Sequence, residues 1–221
     1  PGVITQVLQD AVLEKGLFYP VDPSSKGSCF IGGNIAENSG GARAVKYGVT
    51  KDYVLNLEVV LPNGEIIETG ANTLKNSTGY NLTQLMVGSE GTLGIVTKIV
   101  LKLLSKNDFN VLMLVPFYDM NEAAKAVSEI FKAGIVPSAL EFMERDAIDW
   151  TLKFTDAIEI GLKDGIQAHL LIEVDGNYQD VLFAQAEKIM EVVEQFRIDE
   201  VFYAETEEQK NALWKLRRNV A

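Results

Sequence analysis

The rhythm of apolar positions changes partway along the chain. In the first part, Ile4, Leu8, Ala11 and Val12 recur at helical spacing and predict a helix over residues 3–15, with Gly16 as its stop. A short apolar stretch, 17–21, ends in the turn signal Asp22-Pro23-Ser24-Ser25. Residues 29–48 are rich in Gly and Asn and poor in periodicity. Two β-rich runs follow, 54–61 and 65–69, joined by Pro62-Asn63-Gly64, which predicts a hairpin. A loop over 70–81 leads to a short apolar piece at 82–87. A second Gly-rich segment, 88–94, then runs into a predicted strand at 95–103.

Beyond Ser105-Lys106-Asn107-Asp108 glycines thin out and strands alternate with helices, so the domain boundary is placed there, giving 1–105 and 106–221. Strands are predicted at 111–116, 139–143, around 168–174 and at 201–203. Helices are predicted at 119–131, near 145–155, at 180–196 and over the last residues. Asp119 with Glu122, and Thr206 with Gln209, have the form of capping boxes. The series strand–helix–strand, connector, strand–helix–strand is the ferredoxin-like split βαβ pattern, expected to leave one sheet face open. The fold class is therefore α+β.

Composition narrows the function. Of 221 residues, 20 are Lys or Arg and 31 are Asp or Glu, a net charge of −11, which argues against nucleic acid as a partner. No apolar run approaches the roughly 18 residues of a membrane span. One cysteine excludes an internal disulfide framework and a multi-cysteine zinc site, and one histidine excludes any site needing two. Sparse cysteine fits a reducing, cytoplasmic setting.

The two Gly-rich segments carry the candidate chemistry. The first, Ile31-Gly32-Gly33-Asn34-Ile35-Ala36-Glu37-Asn38-Ser39-Gly40-Gly41, offers close backbone approach beside two amide side chains. That suits a flat ligand with phosphates, and glycine content alone equally suits a surface turn. The second, Gly88-Ser89-Glu90-Gly91-Thr92-Leu93-Gly94-Ile95, is neither a dinucleotide fingerprint nor a P-loop. It is not a nucleophile elbow either, since Val87 stands two before Ser89.

Three blocks in order, 19–48, 52–70 and 75–103, closely resemble the FAD-linked 2-hydroxy-acid oxidases and dehydrogenases of the vanillyl-alcohol-oxidase superfamily. This group includes glycolate oxidase flavin subunits, D-lactate dehydrogenases and D-2-hydroxyglutarate dehydrogenases. The second half resembles that family's cap domain more weakly, most clearly at Leu213-Trp214-Lys215-Leu216-Arg217. The resemblance implies the second half of an FAD-binding domain followed by a ferredoxin-like cap with an antiparallel sheet. It implies that FAD lies against Pro23 and Ser24; against Gly32, Gly33, Asn34, Asn38, Gly40 and Gly41; and against Glu90, Gly91, Gly94 and Ile95. Where the family often has Gly-Tyr-Asp-Leu, this chain has Gly79-Tyr80-Asn81-Leu82.

The same resemblance implies that Arg217 grips the substrate carboxylate, a planar two-bond match that lysine cannot make. Composition alone reads Arg217 as a solvated arginine beside Lys215 and Arg218. His169 reads as a structural strand histidine, and Cys29 as a packed small residue. The implied reaction is oxidation of a small (D-)2-hydroxy acid to the 2-oxo acid by hydride transfer to flavin N5. A histidine base and, in many members, a histidine-held metal assist from a segment resembling HxGDGNxH, which this chain lacks. The N-terminal pyrophosphate loop of the flavin domain is also lacking. The chain is therefore expected to be an internal piece of a larger flavoenzyme, with no catalytic residue of its own, no metal, and neither tight FAD nor turnover in isolation. Iron–sulfur or other electron-transfer subunits are the implied partners, with peripheral membrane association through them. The alternatives are a non-catalytic flavin-fold module of an electron-transfer complex, or an enzyme of the superfamily acting on an ether-lipid precursor or a sugar acid.

Overall fold

Gly16, at φ +71°, stops the first helix, α1 (Thr5–Leu13), as the sequence pattern predicts. The structure is a computed structural model that describes residues 1–154 and 163–220. Two units divide the chain, Pro1–Lys106 and Asn107–Ala221.

In the first unit β1 (Leu17–Phe18) leads into the 22–25 turn and then α2 (Ile31–Glu37), α3 (Ala44–Tyr47) and a single 3-10 turn, Thr50–Asp52. The two helices fall where the pattern showed no period. Ile31, Asn34 and Ile35, spaced at i, i+3 and i+4, are buried, and that burial outweighs the roughly 1 kcal/mol that each interior glycine costs a helix. Asn38, left-handed at φ 51°, ends α2. The hairpin forms from β2 (Val54–Val60) and β3 (Ile66–Glu68), turning at Gly64 with φ +86°. The apolar piece at 82–87 is a short helix, α4 (Leu82–Met86), capped by the Asn81 side chain, which accepts from Gln84 N. β4 (Ile95–Leu101) lies on the other side of β2, giving an antiparallel sheet β3-β2-β4. β5 (Leu104–Ser105) returns to pair with β1. Tyr19, Ile31, Ile35, Tyr53, Leu57 and Val59 form the centre of this unit's core.

The second unit is a four-stranded antiparallel sheet. β6 (Phe109–Phe117), α5 (Met120–Lys132) and β7 (Ala139–Glu144) come first. They are followed by α6 (Arg145–Phe154), β8 (Ala168–Gly176), α7 (Gln179–Val193), β9 (Phe202–Ala204) and α8 (Glu207–Val220). Residue 155, the expected end of the helix near 145–155, lies outside the described residues. The strand order β7-β8-β6-β9 puts β8 between β6 and β7, which is the split βαβ arrangement. Of the two expected capping boxes, the one at Thr206 forms: Thr206 Oγ1 accepts from Gln209 N as Gln209 Oε1 accepts from Thr206 N. Asp119 caps α5 by accepting from Asn121 N and Glu122 N, but Glu122 does not return the bond, because its Oε2 accepts from Arg197 N instead.

The face expected to stay open is covered. α5 and α7 pack on one side, against Met113, Val115, Phe117, Leu170 and Ile172. α6 and α8 pack on the other, where Ile148, Leu213 and Leu216 meet Leu112, Leu114, Met143 and Leu171. β8 is accordingly buried almost along its whole length, as a strand sandwiched on both faces must be.

Candidate functional site

The first unit draws the two Gly-rich segments together. Gly88 N donates to Ile35 O at 2.8 Å and Glu90 N donates to Ala36 O at 3.0 Å, so the 88–91 loop is hydrogen-bonded to the last turn of α2. The turn holding Pro23 and Ser24 (Lys26 N to Pro23 O, 2.9 Å) meets the Gly40–Gly41 loop, where Arg43 N donates to Asp22 Oδ1. The three stretches named from sequence therefore adjoin one another within one unit.

The individual residues sort into two groups. Several have a reason internal to the fold. A Cβ on Gly41 would overlap the Asp22 carbonyl, and one on Gly94 would stand 2.6 Å from Val59 Cγ1. One on Gly32 would stand 2.8 Å from Pro1 Cβ, and one on Gly40 3.3 Å from Val49 Cγ1. Asn34 is buried and donates from Nδ2 to Thr5 Oγ1 at 2.6 Å. Asn38 Oδ1 accepts from Lys51 N, which ties the 3-10 turn to α2.

The second group faces outward. Nothing lies within 4 Å of a Cβ on Gly33 or on Gly91, and Gly91 has φ +74°. Glu90 is exposed and left-handed at φ 51°. Ser24 is exposed, and Ile95, 69% exposed, flanks Val60 at the start of β4. Gly33 and Gly91 offer main chain to a ligand without a side chain in the way, and Ser24, Glu90 and Ile95 present exposed side chains.

In the second unit Arg217 lies on α8 one residue after the buried Leu216, with its Nε donating to Glu141 Oε2 of β7. The side chains are 23% and 15% exposed respectively, so the pair is shielded yet reachable. No described residue accepts from the two Nη groups of Arg217. A second polar group lies on the same sheet face. Asn110 Nδ2 donates to the fully buried Glu173 at 2.6 Å, and Lys210 Nζ donates to Asn110 Oδ1 at 2.7 Å. Sequence reasoning missed Glu141, Asn110, Glu173 and Lys210. The available signal was a carboxylate at the middle of an apolar strand, Ala139-Leu140-Glu141-Phe142-Met143.

His169 is buried, 2% exposed, with no partner at Nδ1. Burial first, then the Arg145 charge, pushes it down to about 4, so it is neutral at ordinary pH. Cys29 Sγ is 3.2 Å from Thr5 Oγ1, a packed contact. Among the described residues no group of three or more His, Cys, Asp or Glu could hold a metal ion, and no helix is long and apolar enough to cross a membrane.

Residues 106–221 match the family described as FAD linked oxidases, C-terminal domain, and residues 1–70 match an FAD binding domain. The chain is 48% identical over 219 residues to the glycolate oxidase subunit GlcD of Bacillus subtilis, covering 99% of this chain and 46% of that protein. It is 39% identical over 225 residues to a D-lactate dehydrogenase of Anaerostipes hadrus, covering 98% of this chain and 46% of that protein. With a D-2-hydroxyglutarate dehydrogenase of Stutzerimonas stutzeri it shares 32% identity over 221 residues, covering 100% of this chain and 47% of that protein. The chain thus spans under half the length of these curated relatives. Two crystal forms of an alkyldihydroxyacetonephosphate synthase share its fold, at TM-scores of 0.74 and 0.77 and 20% identity. They cover 98% of this chain and 40–41% of the solved one.

Proposed function

The chain belongs to the FAD-linked oxidases, and from that premise we propose that the full-length protein oxidises a small (D-)2-hydroxy acid to its 2-oxo acid. The observation that carries this reading is Arg217, shielded on the cap sheet with both Nη groups uncommitted among the described residues. A guanidinium in that state makes two parallel hydrogen bonds to a carboxylate, the one feature common to all 2-hydroxy acids. The named relatives act on glycolate, D-lactate and D-2-hydroxyglutarate, which supports this class.

The first unit fits FAD as a group held mainly by main chain. Gly33 and Gly91 leave open backbone, and Ser24, Glu90 and Ile95 present exposed groups beside them. In this proposal those residues line the cofactor. Pro23, Gly32, Asn34, Asn38, Gly40, Gly41 and Gly94 shape the turns that hold them in place. Residues 1–105 form the C-terminal part of the FAD-binding domain, and 106–221 form the cap. When bound, FAD would supply the hydride-accepting chemistry of the reaction. Arg217 holds the substrate carboxylate. His169, buried and neutral, has no place in proton transfer. The proton acceptor is assigned to a segment outside these 221 residues. The B. subtilis relative is named a subunit, which supports assembly of the full-length protein with partner subunits.

The test is R217A and R217K in the full-length protein, assayed with D-lactate and glycolate. Loss of both carboxylate hydrogen bonds should raise KM at least about 100-fold, since each charge-assisted bond contributes roughly 1.5–3 kcal/mol and the two together about 3–6 kcal/mol. An unchanged KM for every 2-hydroxy acid tried removes Arg217 from the substrate site.

A further inference from the structure

We propose that Glu141 is a positioning residue that fixes the Arg217 guanidinium for carboxylate binding, an inference that rests on the reading of Arg217 above. Arg217 is on α8 and Glu141 on β7, 76 residues apart in sequence, so the pair exists only because α8 packs across the sheet. Glu141 shares a strand face with the buried Ala139 and Met143, the face that looks toward α6 and α8. Its register partner is Leu171, which belongs to that same core. The carboxylate therefore stands on a rigid strand, with apolar packing on either side.

The bond is made at Nε. A guanidinium carries five N–H groups in one plane, and holding Nε leaves the Nη1 and Nη2 groups for a ligand. Four rotatable bonds separate a free arginine head from its backbone, so an unrestrained Arg217 would sample many orientations. Glu141 removes most of that freedom before substrate arrives. The same carboxylate also cancels the Arg217 charge, which by itself weakens attraction for an anion. The two effects have opposite signs, and that makes the roles separable. Fixing the guanidinium means that loss of the Glu141 charge weakens binding of a 2-hydroxy acid. Mere competition for Arg217 means that the same loss strengthens it.

The experiment uses the full-length, flavin-loaded protein carrying E141Q, E141D, R217A or no change. Pyruvate binding is measured by calorimetry, KM and kcat with D-lactate, and folding by circular dichroism. We expect E141Q to weaken pyruvate binding and to raise KM about tenfold, although it leaves the protein one charge more positive. E141D keeps the charge and recovers part of the loss. Unchanged or tighter pyruvate binding in E141Q, with R217A strongly impaired, overturns the role of Glu141 and leaves that of Arg217 standing. Unchanged binding in R217A overturns the carboxylate site itself. Should E141Q fail to fold, E141D decides: weaker pyruvate binding with a KM raised by less than tenfold supports fixation, and unchanged or tighter pyruvate binding overturns it.

Discussion

Gly33 and Gly41 lie eight positions apart in one Gly-rich segment, yet replacing each with alanine should move stability in opposite directions. Gly41 packs against main chain. A methyl group there would overlap the Asp22 carbonyl and stand 2.5 Å from Asp22 Oδ1, and neither the strand exit nor the turn can shift without losing other bonds. Overpacking of this kind costs about 1–3 kcal/mol. Gly33 is inside α2 with nothing within 4 Å of its Cβ position. Alanine is favoured over glycine in a helix by about 0.8–1 kcal/mol, so G33A should stabilise the flavin-free protein. For a chain of this size 1 kcal/mol corresponds to roughly 2–4 °C. G33A should therefore raise the midpoint by about 2–4 °C, and G41A should lower it by about 2–12 °C. The flavin reading adds a second axis. A methyl at Gly33 would stand on the open backbone proposed to meet FAD, so G33A should weaken FAD at least tenfold despite its sturdier apoprotein. Thermal unfolding of the chain by circular dichroism and an FAD titration of the full-length protein by fluorescence quenching measure both axes. Wild-type FAD affinity in G33A would falsify the placement of Gly33 at the cofactor. Wild-type stability in G41A would refute the close approach to Asp22.

Two further predictions concern the cap. The imidazole of His169 titrates near 4 when folded and near 6.5 when unfolded, so the unfolded chain binds more protons between those values. Its contribution is intact above about pH 6.5 and falls as pH drops toward 4, by about 3 kcal/mol in all. The difference in urea stability between the wild type and H169Q should shrink over that window; parallel curves would refute the buried, neutral assignment. Leu216 is fully buried between α8 and the sheet, and L216A should cost about 2–5 kcal/mol. Chemical denaturation would measure this, and a loss below 1 kcal/mol would mean that α8 is not anchored where Arg217 needs it.

What the sequence showed and what it hid differ by the range of the interaction. α5 was legible because its cap, its apolar face and its Gly134 stop all lie within one stretch. The hairpin at Gly64 and the capping box at Thr206 were legible for the same reason. α2 was hidden because its helix propensity is poor and its reason for being, the burial of Ile31 and Ile35 beside Tyr53 and Leu57, is tertiary. The two-sided cover of the cap sheet was hidden in the same way. Leu112, Leu114 and Leu171 carry the periodicity of a buried strand, but periodicity does not say which helix arrives on which face.

The candidate site divides along the same line. Motif order brought Gly33 and Gly91 into view as backbone open to a ligand, but it could not separate them from Gly41 and Gly94. Those two glycines answer to Asp22 and Val59, contacts 19 and 35 residues away in sequence. Arg217 was visible through a local motif on one helix, whereas Glu141 was invisible because its meaning comes from a partner on another element. A guanidinium read from sequence is only a charge. The bond from its Nε to a strand carboxylate gives it a direction, and a direction is what a planar carboxylate ligand requires.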